Sequence, residues 1–298
     1  MKAIKEFIFY GNWFYGICAV ALSIEASVQQ FVPLNMPAYY GAIFIATIIY
    51  YSKAYIPVSD NAASDNLRSQ WYLNHHKTTV FIQWVLSVLL VIICFYVGWE
   101  LSENILTMPF WQWGLILIFP LVALWYYGLG YCFNLRNNGW TKPFVIGFVW
   151  AGVVTIYPVI FHSIQTHSSF NLNFRCIVLL FKNWMFIALL CILFDIKDYA
   201  IDANQSLITF VVKKGLRNTI FKIVIPLNII GLIVFITYAT TNHFPTGRIL
   251  INTIPFISLL IVAYTLIFRK SIIYYLIVVD GLMLLKAICG VVAIWLFK

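Results

Sequence analysis

Nine apolar runs divide the chain, near residues 12–32, 38–56, 78–98, 110–131, 143–162, 174–194, 220–239, 249–268 and 272–296. Each is roughly 17 to 25 residues long, the length an α-helix needs to cross a hydrocarbon core of about 30 Å. Backbone groups in lipid must be satisfied within the segment, so such runs fold as helices and not as open sheet. The expectation is an all-α, polytopic membrane protein of about nine transmembrane helices, forming one domain over 1–298. Composition leaves no soluble alternative: with 62% hydrophobic and 10% charged residues, a water-soluble fold would leave much of its apolar surface wet. Lys2, Lys5 and Glu6 precede the first run and no small-residue cleavage site follows it, so no cleavable signal peptide is expected.

The net charge of +9 is distributed by topology. With the N-terminus inside, the basic residues of the connections fall on the cytoplasmic side except Arg175, Arg248 and Lys298, which fits the positive-inside bias. That bias accounts for the charge without a nucleic-acid partner, and the expected location is the cell membrane. Trp111, Trp113, Trp140 and Trp150 lie near run ends and read as an interfacial aromatic belt. The six cysteines show no CxxC pairing and read as small buried apolar residues, and His75-His76 lacks the further ligands of a zinc site. Glu25 and Asp280 fall near mid-membrane depth, where an ionisable group faces a cavity or a partner. Lys182 lies far enough out to snorkel, and Lys286 is placed to pair with an acid elsewhere in the bundle.

Acidic residues are scarce, 10 in all, yet three stand together at the inner end of the sixth run. Asp195, Asp198 and Asp202 are spaced i, i+3 and i+7 and share one helix face. Like charges so placed repel unless a cation neutralises them, and a hard divalent ion such as Mg²⁺ suits carboxylates that also hold substrate phosphates. Two inner connections carry further chemistry: residues 57–77 contain Asp60, Asp65 and Arg68, and residues 195–219 contain Lys197, Lys213, Lys214 and Arg217. Between them lie Arg136 and Lys142. Acids for divalent ions and bases for oxyanions, gathered on one membrane face, predict a site for a phosphorylated substrate with an apolar tail.

The stretch 194–217, FDIKDYAIDANQSLITFVVKKGLR, resembles the second aspartate-rich motif of the UbiA superfamily of intramembrane prenyltransferases. Residues 131–150, YCFNLRNNGWTKPFVIGFVW, resemble the same family's fourth inner loop. The resemblance implies a helical bundle around a central cavity, open to the cytoplasmic side and sideways to lipid. It implies that Asp195, Asp198 and Asp202 hold Mg²⁺ on a prenyl diphosphate, and that Lys142, Arg136 and Lys197 contact the diphosphate. The isoprenyl group would then pass to a lipophilic acceptor. The family's first motif, N-x-x-x-D-x-x-x-D, is absent where residues 50–66 read YYSKAYIPVSDNAASDN, so Asp60 and Asp65 would have to bind substrate from a changed geometry, with Arg68 beside them. The altered motif keeps a second reading open, a non-catalytic relative that binds a polyprenyl lipid or supports a membrane assembly. A transporter using Glu25 and Asp280 is a third.

Overall fold

The computed structural model describes residues 2–56, 67–127, 139–204 and 208–297, apart from the side chains of Lys2, Tyr127 and residues 200–204. The regular structure among these residues is all helical, with no strand. The helices are α1 (Lys2–Tyr10), α2 (Trp13–Gln29), α3 (Pro37–Lys53), α4 (Leu67–Asn74), α5 (His76–Glu100), α6 (Ser102–Leu106) and α7 (Phe110–Tyr127). They continue as α8 (Lys142–Gln165), α9 (Phe174–Asn204), α10 (Phe210–Lys214), α11 (Leu216–Thr241), α12 (Thr246–Thr265) and α13 (Ile272–Leu296).

Among the described residues six helices are long and apolar enough to cross a membrane, namely α5, α8, α9, α11, α12 and α13, or seven if α1 and α2 form one bent span. Of the remaining runs of the expected nine, 38–56 forms α3, 17 residues long, and 110–131 forms the apolar helix α7, described as far as residue 127. The first is shortened because run 38–56 leaves the helix after Lys53. The bend between α1 and α2 is 57°. It forms at Gly11-Asn12, where Asn12 adopts φ 67° and a Cβ on Gly11 would stand 2.4 Å from the Phe7 carbonyl oxygen. Glycine avoids that clash, and asparagine tolerates the left-handed backbone better than a bulky residue.

The sequence pattern held no sign of three π-helical turns, Gly152–Ile156 in α8, Ile220–Val224 in α11 and Tyr275–Val279 in α13. The first two end just ahead of Pro158 and Pro226. A proline cannot donate to the preceding turn, so the ladder loosens there.

Helix α9 stands at the centre. Phe186, Ile187, Ala188, Leu189, Leu190, Ile192 and Leu193 are all buried on it, so no side of this segment meets lipid. Its neighbours include α8, α11 and α13. The contrast is α5, where only Thr79 and Leu86 are buried while Phe81, Trp84, Val91, Phe95 and Trp99 point outward. An outward apolar face of this kind suits a hydrocarbon surrounding better than water. Helix α7 is similarly outlying but is pinned to α8, where Phe119 fills the space a side chain on Gly152 would take, its ring 2.0 Å from where a Cβ would stand.

Candidate active site

Between α3, α5, α7, α8 and α9 lies a cavity of ≈ 770 Å³. Along α8 its wall runs from Lys142 to Phe161, about 28 Å at ~1.5 Å rise per residue, close to the thickness of a hydrocarbon core. One end, called the inner end, is polar: Lys142, Lys197 and Asp198 line it. The rest is apolar, with Ala42, Ala46, Ile93, Val97, Val149 and Phe161 in the wall. A space with charge at one end and hydrocarbon along its length fits an amphiphile with a charged head and one long tail.

The inner end is built by two lysine–aspartate contacts. Lys142 Nζ, at the start of α8, donates to Asp195 Oδ1 at 2.7 Å. Asp195 is 3% exposed, and its Oδ2 is buried without a hydrogen-bond partner among the described residues. One turn further along α9, Lys197 Nζ donates to Asp198 Oδ1 at 2.5 Å and stands 5.0 Å from the Phe194 ring. The Asp198 side chain stays 27% exposed. Asp195 thus turns toward α8 while Asp198 stands on the cavity wall, so the two carboxylates the sequence put on one face have separate lysine partners.

Asp202 continues the same helix, but its side chain lies outside the described residues, as do Asp60, Asp65 and Arg136 altogether. Among the described residues no three His, Cys, Asp or Glu side chains gather as a metal site. The donors present fit a metal that is shared with substrate: Asp198 faces the cavity and Asp195 keeps a buried oxygen unpartnered. Mg²⁺ typically uses only one or two carboxylates plus substrate phosphates.

Arg68 is not on the cavity wall. In α4 it is 3% exposed, donates from Nε to the Tyr10 carbonyl at 3.2 Å and from its guanidinium to Asn12 Oδ1, and stands 4.3 Å over the Tyr55 ring. Tyr55 itself lines the cavity, so Arg68 supports a wall residue from behind. Burial works against its charge, but Tyr55, Tyr15, Tyr72 and Asp280 outweigh that and raise its pKa. The same network holds Asn12 Nδ2 against Ser52 Oγ and Tyr72 Oη, both at 3.0 Å.

Aromatic residues complete the head end, and the sequence reading missed them. Tyr50, Tyr51, Tyr55, Tyr126 and Phe194 line the cavity there with Trp150. Trp150 is buried, not interfacial as expected, and its indole N–H donates to Tyr51 Oη at 2.5 Å. Tyr51 in turn stacks on Tyr15, ring centroids 4.6 Å apart. The only signal was the tyrosine-rich end of the second run, Tyr50-Tyr51 and Tyr55, at a position where an interfacial belt looks the same. Trp111 does remain half-exposed, in keeping with a belt.

The ionisable residues at membrane depth have structural partners. Glu25 accepts from Lys286 Nζ at 3.0 and 2.8 Å, so Lys286 does pair with an acid, and from Gln29 Nε2 at 2.5 Å. Asp280 Oδ2 accepts from Tyr15 Oη at 2.7 Å. Lys182 does not snorkel: its amine lies 3.4 Å from Gln29 Oε1 and 5.2 Å over the Phe235 ring. Of the described cysteines Cys18, Cys176 and Cys289 are buried and Cys191 is half-buried, while Cys94 is exposed on α5 and not buried as expected.

Fold and cavity together define a class: a multi-pass, all-helical membrane protein enclosing a cavity that is charged at one end and apolar beyond. No family model matches the sequence and no curated protein matches it. Among solved structures, digeranylgeranylglyceryl phosphate synthase, a UbiA-superfamily intramembrane prenyltransferase, is similar with a TM-score of 0.55 over 99% of this chain and 99% of that one, at 12% sequence identity. What is shared at that identity is the fold, and the resemblance expected from the aspartate motif extends in that sense to the whole chain.

Proposed function

We propose that the protein is an intramembrane prenyltransferase, a single domain over 1–298, that moves an isoprenyl group from a prenyl diphosphate to a lipophilic acceptor. The observation that carries this reading is the cavity itself, with Lys142, Lys197 and Asp198 at one end and hydrocarbon walls beyond. The fold it shares with a membrane prenyltransferase supports it. The diphosphate sits at the inner end, on the cytoplasmic side, held by Lys142 and Lys197, and the prenyl tail extends toward Phe161. Asp195, Asp198 and Asp202 would hold Mg²⁺, which when bound would supply positive charge against the departing diphosphate.

The allylic carbon–oxygen bond breaks with its electron pair leaving on the diphosphate, where the two ammonium groups stabilise the developing charge. The acceptor's nucleophilic atom then bonds the allylic carbon, and its proton is lost. Tyr51, Tyr55 and Trp150 wall the reacting carbon from water, and their ring faces suit an electron-poor carbon. Arg68 positions Tyr55 without touching substrate.

The test is diphosphate release from a prenyl diphosphate by detergent-purified protein, with and without Mg²⁺. Metal-dependent release that Asp198→Asn abolishes is the expected result; unchanged turnover in that variant would sink the assignment. The second reading draws on the lysines that already pair with Asp195 and Asp198. A protein that only binds a polyprenyl lipid would retain the diphosphate and release none.

A further inference from the structure

The end of the bundle opposite the lysine–aspartate contacts carries charge that prenyl transfer does not use. Arg175 lies in the first turn of α9 and Arg248 in the first turn of α12. A helix N-terminus is already the positive end of the helix dipole, so a cation there is unfavourable. Both guanidinium groups nonetheless converge on one ring, their Cζ atoms 4.8 and 5.8 Å from the Phe31 centroid. Arg248 is also 3.9 Å from the centre of Phe244. The backbone of Phe31 is left-handed, φ 57°, an uncommon conformation for a bulky residue.

Arg248 is only 7% exposed, and among the described residues its guanidinium has no hydrogen bond and no carboxylate partner. Arg175, exposed at the rim, has no carboxylate either, and the two repel each other. A buried cation is ordinarily paired, and here two cations and two dipole ends meet with no carboxylate among the described residues beside them. Around them Phe31, Leu34 and Phe174 are more than half exposed, at 57%, 56% and 70%, an apolar collar next to the two guanidinium groups.

The geometry points to a phosphate-binding site formed by Arg175 and Arg248 over Phe31, filled by the headgroup of an anionic membrane lipid whose acyl chains lie on that collar. Guanidinium forks match phosphate oxygens in pairs, and helix N-termini add backbone donors. Free inorganic phosphate offers the same chemistry without the chains. This site is separate from the cavity and does not depend on the transferase reading.

Native mass spectrometry of the full chain in detergent, with phosphatidylglycerol and diacylglycerol added in turn, separates headgroup from tail. The proposal expects phosphatidylglycerol to be retained over diacylglycerol, and Arg175→Gln to cut that retention about tenfold, the loss of one charge-assisted contact. Arg175 is exposed, so this variant should fold as the parent does; Arg248→Lys, which keeps the charge but loses the fork, should show a smaller drop. If instead inorganic phosphate alone raises the unfolding temperature of the parent and not of Arg175→Gln, the site stands and its source is free phosphate. Equal retention of both lipids, with no phosphate-dependent shift in either protein, overturns the site.

Discussion

Two buried ion pairs in this bundle differ in how completely they are satisfied. Glu25 and Lys286 have side chains 0% and 5% exposed, and the carboxylate takes two contacts from the ammonium and a third from Gln29. A Cβ on Gly290 would come within 2.5 Å of the Glu25 side chain, so the helices close tightly over the pair. Lys142 and Asp195 share one hydrogen bond, Asp195 keeps an unpartnered oxygen, and the Lys142 side chain stays 20% exposed. A saturated pair has nothing to offer a ligand. The open one can exchange its contacts for those of a diphosphate, which is why chemistry is assigned to it and not to the deeper charges.

The comparison breaks most sharply at Lys286. Lys286→Met leaves a carboxylate buried without its cation and should cost about 3–5 kcal/mol, read as a lower unfolding temperature in detergent. Adding Glu25→Gln should recover most of that loss, because an apolar or neutral pair of similar volume is tolerated. At the open pair the effect should extend from stability to turnover. Lys142→Met should lower diphosphate release about 100-fold, or ~2.7 kcal/mol of barrier, on top of the stability lost by leaving the Asp195 carboxylate without its cation. Were Lys142→Met to behave like Lys286→Met, unfolding the protein while sparing specific activity, the two pairs would both be structural and the site assignment would fail.

What the sequence made legible follows the same division. Helical class, the segments of the main spans and the acid-rich end of α9 depend on local runs and spacing, and these are written along the chain. The positions of Tyr51, Tyr55 and Trp150 around one space were not, because a wall assembled from α3 and α8 has no spacing rule. Spacing also put Asp195 and Asp198 on one face, but helical periodicity says nothing of the lysines that claim each one: Lys142 comes from another helix and Lys197 lies at i+2 from Asp195. Arg68 was read as a substrate contact for its charge and loop position. Its burial against Tyr10 and Asn12 follows from the 57° bend ahead of α2, which left only Gly11-Asn12 as its mark in the sequence.

Smaller changes sharpen the head-and-tail reading from its apolar side. Ala42 and Phe161 line the cavity well away from Lys142. Ala42→Phe should leave release from a short prenyl diphosphate near its parent value while lowering release from a long one several-fold, since overpacking costs about 1–3 kcal/mol only for a ligand that reaches it. A uniform loss over all chain lengths would mean that the tail does not extend that way.

The mildest test is at the aromatic wall. Trp150→Phe keeps an aromatic ring, though a smaller one, and removes the indole donor to Tyr51, one hydrogen bond worth ~1 kcal/mol, so unfolding should be only slightly easier. If that bond also holds Tyr51 against the reacting carbon, release should fall a few-fold at saturating substrate with little change in KM, because the ring acts on the transition state more than on the bound ground state. A rise in KM with unchanged turnover would make the Tyr51 wall a binding surface alone.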